Sequence, residues 1–204
     1  MKFPTQLTVF RIVLAPVFYM LFTVDPPLYL WATIVFIVAA VTDWYDGYFA
    51  RKYKLISRFG TFLDPLADKI LTSVAFIAFA IVGMIPYWTL LVVIGRDIVM
   101  TALRAIADLH DMHVRTNMSA KIKTFVQMVY IIGILLILIG SQGTFGAGFK
   151  SFADELPLSD FAYWGMMLVV GLTLLTFLQY LYDNAALLRM IISRYIFRRS
   201  TQNP

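Results

Sequence analysis

Asp43-Trp44-Tyr45-Asp46-Gly47-Tyr48-Phe49-Ala50-Arg51 is followed, after eight residues, by Gly60-Thr61-Phe62-Leu63-Asp64-Pro65-Leu66-Ala67-Asp68-Lys69. Asp43 and Asp46 are three residues apart and Asp64 and Asp68 four apart, so on helices each pair shares one face. Gly47 and Ala50 fall on the face of the first pair. That face is acidic and almost free of side-chain bulk, so a large ligand can approach its backbone. The surrounding chain is apolar. An ionised Asp near the middle of a membrane helix costs ~3 kcal/mol on the mildest insertion scale, and four uncompensated ones would cost roughly 12 kcal/mol. The carboxylates also repel one another. A hard divalent cation with oxygen ligands removes both penalties. Asp64 before Pro65 also has the chemistry of a helix cap, although capping requires neither four acids nor a small-residue face.

Outward from this stretch, the chain reads as an all-α integral membrane protein, a single domain over 1–204. Of its 204 residues 60% are hydrophobic, and the mean hydropathy is +0.78, above the range of soluble domains. The absence of cysteine excludes disulfides and thiolate metal sites. Six apolar stretches have bilayer-spanning length: about Leu7–Val24, Leu28–Ala50, Asp64–Met84, Tyr87–Ala107, Ser119–Gly140 and Phe161–Tyr182. The first lacks a small-residue cleavage site and reads as a retained helix rather than a signal peptide. Pro26 and Pro27 end it, and Pro65 is expected in or near the first turn of the third span. Pro16, within the first span, reads as a kink or a packing device. The Gly- and Ser-rich segment Ser141–Ser159 reads as a loop, and Asn184–Arg199 as an amphipathic C-terminal helix on the membrane surface or extending the sixth span.

Basic residues set the expected orientation. With a cytoplasmic N-terminus, one side collects Lys2, Arg11, the Arg51–Arg58 loop, Lys69, Arg104, Arg115, Lys121, Lys123 and the tail arginines; the other holds only Lys150, with Arg96 inside a span and not counted. The positive-inside rule then places both termini, and the aspartate stretch, on the cytoplasmic side. The net charge of +5 is concentrated on that face, which suits an anionic leaflet and anionic substrates, with no nucleic-acid partner expected. Trp31, Trp88 and Trp164 fall near span ends on the opposite side, where aromatic anchors are common. Arg11 reads as an interfacial anchor.

Arg96 and Asp97 lie inside the fourth span and should face the protein interior or a wet cavity. Asp97 and Arg104 share a face, and Asp97 is expected to partner a basic group on another helix. Lys121 and Thr124 lie on one side of the fifth span, Lys123 and Gln127 on the other; the lysines are either phosphate ligands or cytoplasmic-end anchors. His110 and His113, with Asp108 and Asp111, read as a solvated loop.

The spacing Asp-x2-Asp-Gly-x2-Ala-Arg-x8-Gly-x3-Asp-x3-Asp, from Asp43 to Asp68, resembles the signature of the CDP-alcohol phosphatidyltransferases, without departure at any signature position. The flanking residues of the signature resemble the bacterial branch that takes glycerol 3-phosphate, as do Pro4-Thr5-Gln6-Leu7-Thr8 with Arg11, Arg96-Asp97, Ala102-Leu103-Arg104 and Lys121-Ile122-Lys123-Thr124. The likeness is weak in the 141–159 segment and the tail. It implies a homodimeric, multi-pass enzyme of the inner (cytoplasmic) membrane, active on the cytoplasmic side, which joins CDP-diacylglycerol to glycerol 3-phosphate and releases CMP. It further implies two divalent ions, Mg2+ or Mn2+, on Asp43, Asp46, Asp64 and Asp68, with Asp68 also the general base. Gly47, Ala50, Arg51 and Gly60 would contact the CDP-lipid, with Thr8 and Thr42 as weaker candidates. Arg104, Lys121, Lys123 and Arg96 would bind the acceptor phosphate. Another acceptor, such as inositol phosphate or phosphatidylglycerol, is the alternative within the family. A divalent-metal carrier is the alternative outside it, although a carrier would spread its acids along a path through the bilayer rather than gather them at one end.

Overall fold

The structure, a computed structural model, describes residues 3–25, 27–53, 58–109 and 118–185, with side chains at 9–25, 27–42, 69–104, 106–107 and 122–185. The described residues form seven helices and no strand: α1 (Phe3–Thr23), α2 (Tyr29–Tyr53), α3 (Arg58–Ile81), α4 (Tyr87–Leu109), α5 (Met118–Ser141), α6 (Ala147–Glu155) and α7 (Leu158–Asp183). Two stretches, Ile122–Ser141 and Leu158–Asp183, are long and apolar enough to cross a membrane, and shorter apolar stretches occupy Val9–Thr23, Tyr29–Thr42 and Lys69–Ile81. Each of the six expected spans falls on one long helix.

The bundle has two halves. α1 packs most extensively against α2 and α3, while α7 packs against α4 and α5; α2–α5, α3–α4 and α3–α5 contacts join them. A chain of aromatic rings runs from the first half across the join. Phe18 meets Phe36 at 5.6 Å between centroids, Phe22 meets Phe79 at 5.3 Å, and Phe79 meets Tyr130 at 6.4 Å. Each such pair adds ~0.5–1.5 kcal/mol beyond the area it buries. The Tyr130 hydroxyl donates to the Ala162 carbonyl at 2.7 Å, tying α5 to α7. Many large apolar side chains remain exposed, among them Leu91, Met20, Phe125 and Leu178. That pattern belongs to a bundle whose outer surface meets hydrocarbon rather than water.

Two expectations require correction here. α3 begins at Arg58, six residues ahead of Asp64, so Pro65 is its eighth residue and lies beyond the first turn. Gly60 and Pro65 both weaken a helix locally, but burial of α3 against α1 is the stronger term. The 141–159 segment is not merely a loop: left-handed backbone at Gly143 (φ 77°) and Gly146 (φ 91°) turns the chain into α6. Phe149 of α6 lies over Gly140, where an added Cβ would come within 2.2 Å of its ring, and Ala153 is buried beside it. Pro16 sits at an exposed position of α1, which runs as one helix from Phe3 to Thr23. The amphipathic tail beyond Ala185 and the loop carrying His110, Asp111, His113 and Arg115 lie outside the described residues.

The turn between α1 and α2 and the turn after α5 share one end of the molecule, joined by the Gln142 side-chain amide donating to the Pro27 carbonyl at 2.9 Å. Trp31, Trp88 and Trp164, all near helix starts, are exposed, as expected of interfacial anchors.

Candidate active site

Asp43 and Asp46 lie in the last third of α2, and Asp64 and Asp68 in the first half of α3. The four connecting residues, 54–57, keep Tyr53 and Arg58 within about 19 Å of each other at full stretch, and α2 and α3 are in contact. The two acidic pairs flank this short connection, one on each helix. Their side chains, and those of Thr8, Gly47, Ala50, Arg51, Gly60 and Lys121, lie outside the described set. Four carboxylates form a hard, oxygen-only donor set of the kind that suits Mg2+ or Mn2+. Among the residues with described side chains, no group of three or more acids or histidines comes together. Thr42 is half-buried, one residue before Asp43, and its hydroxyl donates to the Val38 carbonyl at 2.6 Å.

Directly after Asp68, Lys69 enters a polar cluster inside the bundle. The Lys69 ammonium donates to the Asp97 carbonyl at 3.1 Å and to the Thr101 hydroxyl, which itself donates to that carbonyl at 2.7 Å. The Asp97 carboxylate accepts from two cations through one oxygen: Lys123 Nζ reaches Oδ1 at 2.6 Å and Arg96 Nη1 reaches it at 2.9 Å. Arg96 Nη2 donates to Thr176 Oγ1 of α7 at 3.1 Å. The Lys123 side chain is only 4% exposed. Removing one member of such a buried pair typically costs about 3–5 kcal/mol, because the other charge stays buried without its partner.

The expected partner of Asp97 on another helix is thus Lys123 of α5. Lys123 and Gln127 both face inward, while Ile122 and Phe125 face outward. Arg104, two turns along α4 from Asp97, is half-buried, and its Nε makes no hydrogen bond within the described residues. Arg11 is 1% exposed and so is no interfacial anchor; α1 carries it into the bundle interior. An arginine in an apolar run is ambiguous between these two fates, because its long stem can snorkel as easily as it can be enclosed. Sequence reasoning missed Thr101 and Thr176. Each is an ordinary threonine on an apolar helix, and only the packing of α3 and α4 against their neighbours makes it a partner of a cation.

The family model for CDP-alcohol phosphatidyltransferase matches residues 1–148, which include the acidic stretch, Lys69, Arg96, Asp97 and Lys123. The chain belongs to this family. Relatives named CDP-diacylglycerol–glycerol-3-phosphate 3-phosphatidyltransferase include one from Bacillus subtilis (strain 168), 38% identical over 146 residues, covering 65% of this chain and 76% of that protein. A second, from Yersinia pestis (strain Pestoides F), is 38% identical over 144 residues, covering 66% and 77%. A third, from Rickettsia bellii (strain RML369-C), is 34% identical over 142 residues, covering 69% and 77%. In this phosphatidyltransferase the family match stops at the start of α6, so α7 with Thr176 lies beyond it.

Proposed function

We propose that this chain transfers the phosphatidyl group of CDP-diacylglycerol to a hydroxyl of glycerol 3-phosphate, forming phosphatidylglycerophosphate and releasing CMP. One observation carries the reading: the acidic signature of a nucleotide-lipid transferase runs, within one residue, into a partly buried cluster of Lys69, Arg96 and Lys123. The two substrates differ in what they demand. A diphosphate needs its charge neutralised where it leaves; a phosphorylated acceptor needs two or three convergent cations. The names of the relatives agree with this division.

In this reading Asp43, Asp46, Asp64 and Asp68 would hold two divalent ions, Mg2+ or Mn2+, which when bound would neutralise the diphosphate. Gly47, Ala50 and Gly60 let the nucleotide lie close to the backbone, with Thr8 and Thr42 beside it, and the Arg51 guanidinium forks onto phosphate oxygens. Arg96, Arg104, Lys121 and Lys123 hold the acceptor's phosphate. The acceptor hydroxyl gives its proton to Asp68 as its oxygen bonds to the lipid-bound phosphorus. The phosphorus–oxygen bond to CMP breaks, and CMP leaves with the electron pair. Positioning and charge neutralisation provide most of the rate in such a transfer. The helices cross the inner (cytoplasmic) membrane six times with both termini and the site cytoplasmic, and the chain works as a homodimer.

An acceptor panel with labelled CDP-diacylglycerol tests the reading. Label should move to glycerol 3-phosphate, with CMP released, and not to serine. Preferential transfer to inositol phosphate or phosphatidylglycerol would reassign the acceptor within the family. Failure to release CMP with any acceptor and divalent metal would remove the enzymatic reading.

A further inference from the structure

We propose that Asp97 is the positioning residue of the acceptor subsite: it holds Lys123 and Arg96 side by side as a preformed receptor for the acceptor's phosphate, with Thr176 of α7 steadying Arg96 from behind. This rests on the reading that the acceptor is a phosphorylated alcohol. Asp97 receives side chains from three helices: Lys69 of α3 on its carbonyl, Arg96 of its own α4 on Oδ1, and Lys123 of α5 on the same Oδ1. Arg96 extends the network to α7 through Thr176, whose hydroxyl donates onward to the Thr173 carbonyl at 3.0 Å.

A purely structural ion pair would match charge with charge and donor with acceptor. This cluster does not. Two cations share one carboxylate oxygen, and that oxygen is the single acceptor for the Lys123 ammonium among the described residues. An ammonium has three N–H donors, so two remain. Arg96 Nε and, further along α4, Arg104 Nε are buried without an acceptor among the described residues. Buried donors normally find acceptors, so a surplus of donors on the two cations gathered at one carboxylate oxygen matches a tetrahedral oxyanion, which has acceptors to spare and no need of donors.

Asp97 makes that surplus sustainable. Without its charge the lysine and arginine, brought within reach of one oxygen, would repel and swing apart on flexible stems. The subsite would then have to be assembled by the acceptor itself, at the expense of affinity.

The experiment begins with wild-type enzyme in detergent, assayed with glycerol 3-phosphate and with unphosphorylated glycerol. Equal use of glycerol overturns the acceptor reading, and this proposal with it, before any variant is made. With glycerol 3-phosphate preferred, Asp97→Asn should raise its KM by about tenfold or more and leave the KM for CDP-diacylglycerol within about twofold. Asp97→Glu should recover part of the loss. In a Lys123→Met background, Asp97→Asn should add little, since both changes remove one interaction. An unchanged KM for glycerol 3-phosphate, or equal changes in both KM values with no recovery in Asp97→Glu, overturns the assignment. If Asp97→Asn does not fold, Thr176→Val provides the same test from α7. It should raise the same KM by a smaller factor, and a KM equal to wild type overturns the assignment.

Discussion

Single residues in this chain act chiefly through the few neighbours that leave them no second arrangement. Asp68 is where the proposed chemistry meets its first test. If it accepts the acceptor's proton, Asp68→Asn should abolish turnover while the purified protein keeps its helical circular dichroism and its monodisperse elution; substantial residual activity would remove it as the base. Stripping divalent ions with EDTA should abolish wild-type turnover as well, with recovery on adding Mg2+ or Mn2+ and none on adding a monovalent salt, as expected of carboxylates gathered to hold hard cations. Gly165 illustrates the same constraint in packing. A Cβ there would sit 2.5 Å from the Tyr130 ring, which is flanked by Phe76 and Phe79 and bonded through its hydroxyl to Ala162. Overpacking costs ~1–3 kcal/mol and outweighs the gain of up to about 1 kcal/mol that alanine brings to a helix. Gly165→Ala should therefore lower the unfolding midpoint in detergent by a few degrees, roughly 2–4 °C per kcal/mol. A midpoint at or above wild type would mean that the ring has room to move.

Among the elements, α6 is the one whose attachment can be tested apart from catalysis. Its nine residues are too few to hold a helix alone, and its anchorage is Phe149 over Gly140 with Ala153 buried alongside. Gly140→Val should lift it away. Ala153→Cys, inaccessible to maleimide in an otherwise wild-type chain, should then label readily; unchanged protection would show that α6 is held by other contacts. This helix also marks where the sequence stopped being legible. Six long apolar runs announce six long helices, because length and hydropathy act over some twenty residues and local composition cannot cancel them. α6 is short and interrupted by glycine, so its existence depends on a tertiary contact that no local pattern encodes. The start of α3 was hidden for a related reason: Gly60 and Pro65 suggest a boundary, and packing on α1 carries the helix past both. The candidate site divides in the same way. The acidic quartet is written in helical spacing and in the family signature. The requirement that Asp97 find a cation follows from its place in an apolar span, but the choice of Lys123, and the help of Thr101 and Thr176, emerges only once α3, α4, α5 and α7 are set against one another.

On the scale of the whole molecule, the question is which end faces which compartment. A helix of 25 residues such as α2 is about 37 Å long, longer than the ~30 Å hydrocarbon layer. Its two ends therefore lie on opposite sides if the helix stands across the bilayer. The start of α2 is tied to the turn after α5 through Gln142 and Pro27, and α6 follows directly, so α6 belongs to the side opposite the 53–58 connection. The positive-inside rule gives the expected orientation: Arg51, Lys52, Lys54 and Arg58 crowd that connection, and the α6 end carries only Lys150. The cysteine-free sequence makes the test clean, since any introduced thiol is the only one. Ser151→Cys, at an exposed position of α6, should react with a membrane-impermeant maleimide on intact spheroplasts. Lys52→Cys should react only after permeabilisation. The reverse pattern would put the acidic stretch on the outer face, away from a cytosolic nucleotide product. Labelling of both from one side would mean that α2 does not cross the membrane, and with it the six-span arrangement would fall.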